Sequence, residues 1–335
     1  MYKPGDITTN TQLAGWLRCS VDEISRLRQK QEENSVIKFE IPKRNPRNGH
    51  REVYQAVDYL LCNTLKCLKF KLSKLYEPLE CVGGFIAGRN IAYNAKFHLN
   101  KKVIINLDIK NFFESIPFES IIEAFESLGF HNNMATILAD IVTYNKILVA
   151  GFNTSPIIAN IVCSKMDKEL SAICKDRNIN YTRYADDLSF SSEDNIELDP
   201  LEEIITKYGF TLNTEKTRTY KRGRSQYVTG LTVADKTKPR IPRRIKKNLR
   251  AAIHYIRIYG LSSHIEHKYD INCTNPRVLD DFCRKEAAKI LGWIHYINGI
   301  EPVFAYKCFN ELKKITNDDD IFYLENADSY INQRK

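Results

Sequence analysis

The chain has 335 residues, 43% hydrophobic and 27% charged, and its 50 Lys and Arg outnumber 41 Asp and Glu for a formal charge of +9. That length allows one large domain or two to three subdomains with a substantial core, and the basic balance suits a polyanionic partner. Nine Cys without a Cys-x-x-Cys argue against a secreted disulfide framework. No signal-peptide pattern or bilayer-length apolar run is present, so the expectation is a soluble cytoplasmic protein.

Residues 9–30 read as two short helices, the second opened by the capping box Ser20-Val21-Asp22-Glu23 with Ile24 and Leu27 on its apolar face. Residues 36–42 alternate as a strand. Asn45-Pro46-Arg47-Asn48-Gly49 signals a turn, and Arg51-Glu52-Val53-Tyr54 reads as the return strand. Val57, Leu60, Leu61, Leu65, Leu68 and Leu72 give residues 55–76 helical periodicity, and the glycine-rich Gly83-Gly84-Phe85-Ile86-Ala87-Gly88 follows.

The apolar run Val103-Ile104-Ile105-Asn106-Leu107 predicts a strand ending at Asp108, with helices near 117–128 and 132–144. A turn over 151–156 leads into a helix near 156–175. Strands over 181–184 and 188–191 flank a turn that carries Asp186 and Asp187. A helix near 199–208 follows, then strands around Asn213-Thr214-Glu215-Lys216 and over 227–231. From Pro242 the pattern is mostly helical to the end. The order predicts an α+β fold, an antiparallel sheet with helices on one face, followed by a separate helical module.

Two adjacent carboxylates at a tight turn repel each other and invite a divalent cation; with Asp108 ending another strand they form a minimal ligand set for a pair of Mg²⁺ ions in nucleotidyl transfer. Taken singly, each Asp is also an ordinary turn or cap residue. From Lys236 to Arg250 the residues Lys236, Lys238, Arg240, Arg243, Arg244, Lys246, Lys247 and Arg250 occur with no acidic residue among them. Solvated helix faces are usually mixed in sign, so this run points to nucleic acid. His264, His267, Cys273 and Cys283 match no recognised zinc spacing, and Asp318-Asp319-Asp320 reads as a helix N-terminus.

The ordered set of motifs resembles a reverse transcriptase of the palm-domain polymerase superfamily. Leu107-Asp108-Ile109-Lys110-Asn111-Phe112-Phe113 is similar to the first catalytic motif, and Gly151-Phe152-Asn153-Thr154-Ser155-Pro156 with Ala159-Asn160 to the second. Tyr184-Ala185-Asp186-Asp187 is similar to the third, and Leu212-Asn213-Thr214-Glu215-Lys216-Thr217 to the fourth. Asn94-Ala95-Lys96-Phe97-His98 and Val228-Thr229-Gly230 resemble two elements of bacterial retron reverse transcriptases. Gly292-Trp293-Ile294-His295-Tyr296 resembles the thumb-helix motif of retron and intron enzymes.

The resemblance implies a right-hand polymerase, with an N-terminal helical segment over 1–34, fingers over 35–100, a palm over 101–235 and a helical thumb over 236–335. It implies two Mg²⁺ ions on Asp108, Asp186, Asp187 and the Ile109 carbonyl, with Lys216 protonating pyrophosphate. Arg51 (Arg47 and Lys43 as weaker choices), Phe112, Phe113, Gly151 and Asn153 would meet the deoxynucleotide, Phe113 excluding a ribose 2′-hydroxyl. Val228, Thr229, Gly230 and the basic run would meet nucleic acid; Asn94 and His98 would either contact RNA or order the fingers–palm junction as structural residues, and Trp293 would either contact nucleic acid or sit in an ordinary helix core. One departure stands out: relatives often carry Gln before the glycine of the second motif, and here that residue is Ala150.

The implied partners are a structured noncoding RNA as template and primer, its RNA–DNA hybrid and RNA-linked DNA, and an effector protein in a phage-defence system. A group II intron-like or other defence reverse transcriptase, or an RNA-binding scaffold restraining an effector, would share many of these features.

Overall fold

The computed structural model describes residues 3–29, 35–43, 49–270 and 276–315. Two compact units divide the chain, Met1–Thr229 and Gly230–Lys335, against an expected start of the helical module at 236. The turn at 45–48 with Arg47, Cys273, the acidic triplet 318–320 and the helical pattern expected beyond 315 lie outside the described residues.

The first unit opens with α1 (Asn10–Leu17) and α2 (Val21–Arg28), each started by a capping box, Thr9 with Gln12 and Ser20 with Glu23. The Ser20 amide donates to Glu23 Oε2 at 2.7 Å and the Glu23 amide to Ser20 Oγ at 3.2 Å, so two orphan amides are satisfied reciprocally. Their apolar residues, Leu13, Trp16, Leu17, Ile24 and Leu27, are buried. Strands β1 (Val36–Pro42) and β2 (His50–Ala56) form an antiparallel hairpin registered from Val36↔Ala56 to Pro42↔His50. Its alternation is genuine but its apolar side is not core: Ile37, Phe39 and Ile41 are 52%, 39% and 46% exposed. Helix α3 (Tyr59–Leu75) is capped by Asp58, whose carboxylate accepts from the Leu61 amide at 2.8 Å. Leu61, Leu65, Leu68 and Leu72 form its buried stripe, and Val57 stays outside it.

The central sheet is built from β3 (Val103–Asp108), β4 (Asn180–Tyr184), β5 (Asp187–Ser192) and β6 (Arg218–Lys221), in the order β4-β5-β3-β6, with every neighbouring pair antiparallel. The remaining elements of this unit are α4 (Ile91–Ala95) with a short 3-10 turn Lys96–His98, α5 (Phe118–Ser127), α6 (Asn132–Val142), α7 (Ser155–Asp176), α8 (Asp199–Lys207) and β7 (Tyr227–Val228). Ile105, Leu107, Leu188 and Phe190 of the sheet share one core with residues of α1–α3 and α5–α8. The α+β expectation and the antiparallel sheet therefore hold. The sequence reading assigned no helix to 91–98, where the segments are too short to carry a period.

The second unit contains β8 (Leu231–Thr232), α9 (Arg243–Tyr269), α10 (Pro276–Asn298) and α11 (Pro302–Leu312), the three helices packing on one another. Helix α9 is broken at Gly260, whose φ of 84° and ψ of 165° are not helical. No described helix is long and apolar enough to cross a membrane.

Gly151 shows why a glycine stands in the turn before α7. The Tyr54 amide of β2 donates to the Ala150 carbonyl at 2.8 Å, pulling the hairpin against this turn. Gly151 has a φ of 114°, and a Cβ there would lie 2.2 Å from the Tyr54 carbonyl oxygen. Gly151→Ala is expected to cost roughly 2–3 kcal/mol of stability. Gly15→Ala, at a helical site with open space around it, is expected to gain about 0.5–1 kcal/mol. Urea unfolding of both variants checks this; an unchanged midpoint for Gly151→Ala would contradict the packing described.

Candidate active site

Asp108 is the last residue of β3 and pairs in register with Asp187, the first residue of β5. The Ile109 amide donates to the Asp186 carbonyl at 3.0 Å. By ladder alternation, Asp108 and Asp187 are then a non-hydrogen-bonded pair, whose Cα atoms stand about 4.5 Å apart with side chains on one face. Asp108 and Asp187 thus share one end of the β3–β5 ladder, with Asp186 next to them in the turn and the charges of the three acting on one another. Their backbone frame is closed on the other side, where the Asn213 amide donates to the Asp108 carbonyl at 2.7 Å and Ile109 bridges Leu212.

The electrostatics agree with the geometry. Burial, then the charges of Asp186 and Asp108, push the Asp187 carboxyl up to about 7. Asp186 is raised mainly by burial, with Asp108 adding to the rise and Lys216 and Arg51 opposing it. The Asp187 surface is nonetheless open to solvent. Lys216 Nζ donates to both oxygens of Asp108, at 2.8 and 2.9 Å, and is the counter-charge of the site. Among the described residues no group of three or more His, Cys, Asp or Glu is arranged to hold a metal ion by itself. Mg²⁺ rarely uses one: it takes one or two carboxylates and completes its shell with water and substrate phosphate. Hard oxygen donors carrying uncompensated negative charge fit such an ion.

The turn between β4 and β5 is held from both faces. Toward α7, Arg183 and the Tyr181 hydroxyl converge on Asp167, with Tyr181 Oη donating to Asp167 Oδ1 at 2.7 Å. On the other face, His98 Nδ1 stands 2.7 Å from Ser191 Oγ of β5, and Nε2 stands 2.7 Å from Thr182 Oγ1 of β4. Asn180 Nδ2 donates to the Phe97 carbonyl at 2.6 Å. Asn94 is buried beside Gly83, which in turn packs against Tyr184.

His98 and Asn94 therefore take the structural alternative and not the nucleic-acid one. Both are enclosed in protein, and both ring nitrogens of His98 are engaged between the strands. Phe112 also moves away from the nucleotide: it is buried and stacked on Phe210, with centroids 6.0 Å apart. Phe113 is half-buried and lies between Phe112 and the exposed Phe85, with centroids 5.3 and 6.2 Å away. Arg51, Gly151 and Asn153 are exposed.

The Val228 side chain is buried, so only backbone could face a ligand there; Thr229 donates its hydroxyl to the Ile91 carbonyl at 3.0 Å. Thr229 and Gly230 both have positive φ, 46° and 81°.

In the second unit the basic run is not uniformly free. Arg240 pairs with Asp235 at 2.8 Å and Lys246 with Glu301 at 2.8 Å, acids lying just outside the run or far from it in sequence. Lys236, Lys238, Arg243, Arg244, Lys247 and Arg250 are exposed, and Trp293 is half-buried. His264 faces Glu286 at 3.5 Å.

Arg183 and Asp167 were not read from sequence as site residues. The available signals were a charged residue inside a buried strand, and an acid, Asp167, at helical spacing with the apolar Cys163, Leu170 and Cys174 of 155–176.

Burial, aided by the Lys101 charge, holds His98 down at about 3 from an ordinary 6.5. Below 6.5 the unfolded chain takes up a proton that the folded chain refuses, so stability is lost as pH falls. One such proton contributes a slope of up to about 1.4 kcal/mol per pH unit. His98→Gln is expected to flatten the dependence of unfolding free energy on pH between 6.5 and 4 by most of one proton. Equal slopes in the two proteins would show that His98 is not held neutral.

Comparison with known proteins matches this arrangement to a family. Residues 41–292 match the family described as reverse transcriptase (RNA-dependent DNA polymerase). The Retron Ec86 reverse transcriptase of Escherichia coli is 33% identical over 233 residues, covering 68% of this chain and 72% of that protein. The Retron Mx65 reverse transcriptase of Myxococcus xanthus is 31% identical over 240 residues, 65% of this chain and 55% of that one. The telomerase of Candida albicans, solved with a fragment of telomeric RNA, overlays with a TM-score of 0.46 and 12% identity, over 93% of this chain and 68% of that chain. A family match over most of the chain, together with the retron relatives, places this protein among the reverse transcriptases, as an RNA-dependent DNA polymerase of the retron type.

Proposed function

We propose that the chain is a right-hand polymerase that copies a structured noncoding RNA into DNA, starting from a 2′-hydroxyl of that RNA and leaving the DNA linked to it. The observation that carries this reading is the pairing of Asp108 with Asp187 across β3 and β5, with Asp186 beside them. Asp108, Asp186, Asp187 and the Ile109 carbonyl would hold two Mg²⁺ ions, which when bound supply charge neutralisation at phosphorus and a more acidic primer hydroxyl.

The remaining roles belong to this chain's own groups. In the reaction the primer oxygen bonds to the α-phosphorus, the bond to the bridging oxygen breaks, and pyrophosphate leaves. Lys216, already within the site through Asp108, supplies a proton to that leaving group. Arg51, whose charge acts on Asp186, meets the triphosphate from the fingers hairpin, near Gly151 and Asn153. Phe113, backed by Phe112, fills the space that a ribose 2′-hydroxyl would need. Fingers over 35–100, palm over 101–235 and thumb over 236–335 is the matching division. The exposed cations between Lys236 and Arg250, with Trp293, grip the RNA–DNA hybrid through phosphates, regardless of sequence. The turn 228–230 offers backbone to the primer strand. In the cell the complex serves phage defence with an effector protein.

Purification from the native operon tests the reading. RNA-linked DNA should co-purify with the wild type. With Asp186→Ala and Asp187→Ala together, the RNA should remain and the DNA should vanish; undiminished DNA would end the polymerase assignment of this site. In the same assay Phe113→Ala is expected to raise ribonucleotide incorporation by roughly tenfold. Unchanged discrimination would return Phe113 to the aromatic cluster.

A further inference from the structure

Arg183 lies one residue before Tyr184 and is fully buried, as is Asp167 on α7. Its guanidinium is used on two sides. Nε donates to Asp167 Oδ1 at 2.9 Å and Nη2 donates to Oδ2 at 2.7 Å, a planar fork on a carboxylate. Nη1 points the other way and donates to Asn160 Oδ1 at 3.0 Å and to the Ala185 carbonyl at 3.2 Å. Asn160 in turn donates Nδ2 to the Gly84 carbonyl at 3.0 Å. Gly84 lies on the turn from outside: a Cβ there would come within 2.4 Å of the Ala185 amide nitrogen.

Ala185 needs such support. Its φ is 59°, in the left-handed region, which is strained for a residue with a Cβ. That conformation directs the chain into Asp186 and Asp187. Arg183 binds the carbonyl of the strained residue, and Gly84, anchored through Asn160, covers its amide.

A buried ion pair is a weak source of net stability, because desolvation offsets the attraction. Its placement beside a strained turn points to another role. We propose that Arg183, with Asp167 and Asn160, is a positioning group for the polymerase reaction: it holds Ala185 left-handed and so fixes where Asp186 and Asp187 present their carboxylates. This rests on the reading of those carboxylates as the metal-binding centre. Arg183 itself touches neither substrate nor reacting atoms.

The test separates positioning from stability. Arg183→Lys keeps the charge opposite Asp167 but loses the planar fork that reaches Asn160 and Ala185. The triple variant Arg183→Met, Asp167→Leu, Tyr181→Phe removes the ion pair together with the hydroxyl that donates to it, leaving no orphan charge or hydroxyl, while Asn160 keeps its bond to Gly84. Three quantities are measured on the purified protein: the melting temperature, Mn²⁺ affinity from the free-ion EPR signal in the absence of substrate, and kcat and KM on a primed RNA template.

Both variants are expected to lose about 10–100-fold in kcat and to bind Mn²⁺ correspondingly more weakly, the scale seen when groups that orient metal ligands are removed. KM for the primed template should be unchanged. Wild-type kcat and Mn²⁺ affinity in a folded variant would reduce the cluster to an ordinary buried pair. If the triple variant does not fold, Arg183→Lys decides alone by the same two readouts. Asp186→Asn run in parallel keeps the premises apart: full synthesis by Asp186→Asn would sink the metal-site reading, whereas an inactive Asp186→Asn beside fully active Arg183 variants would sink only the positioning role.

Discussion

The register between β3 and β5 is the constraint on which the site depends. Each of its pairs, from Val103↔Ser192 to Asp108↔Asp187, is set by burial: Ile105 faces Phe190 and Leu107 faces Leu188 in the core. Side chains on a strand alternate with a period of two, so a slip of one residue would move every one of them to the opposite face. The apolar pairs forbid the slip, and by forbidding it they force two carboxylates together at the end of the ladder. Packing stabilises an arrangement that electrostatics alone would drive apart; burial first, and then the neighbouring carboxylate charges, raise Asp186 and Asp187.

What keeps the turn in place is chemically different on its two faces. On the α7 face the hairpin is held by full charges, Arg183 against Asp167. On the other face it is held by a neutral ring, His98, between two hydroxyls. A second charge pair there would have added another desolvation cost in the same small core. A neutral imidazole can donate through one nitrogen and accept through the other, so it links a hydroxyl on each strand without carrying charge. The Asn94–His98 element that resembles a retron signature thus acts, in this fold, as a brace behind the β4–β5 hairpin.

Much of this was legible in the chain before any coordinates. Strands 36–42 and 103–108, the capping box at Ser20 and the helical stripe through Leu61 and Leu72 follow from local periodicity and capping chemistry, which are written into short windows of sequence. The three acids were legible because their motif order is specific. For His98, Asn94 and Phe112 the sequence left a structural and a ligand-facing role both open, since polarity and aromaticity say what a side chain can bind but not which neighbours enclose it. Arg183 escaped for the same reason: its partner Asp167 lies 16 positions earlier in the chain, on α7, and only the fold brings the two together. The exposed face of Ile37, Phe39 and Ile41 was missed because alternation reports a strand, not whether a core lies beneath it. The basic run was read as uniform because its neutralising partner Glu301 is remote in sequence.

The central claim, that the ladder end formed by Asp108, Asp186 and Asp187 is where divalent ions bind, is open to direct sight. A crystal of the protein with Mn²⁺ and a non-hydrolysable deoxynucleotide, measured at the manganese edge, should show anomalous density between the carboxylates of Asp108 and Asp186, with Lys216 moved off Asp108 toward the triphosphate. Ordered nucleotide and manganese elsewhere, with Lys216 still seated on Asp108 and no anomalous peak at this edge, would contradict the account.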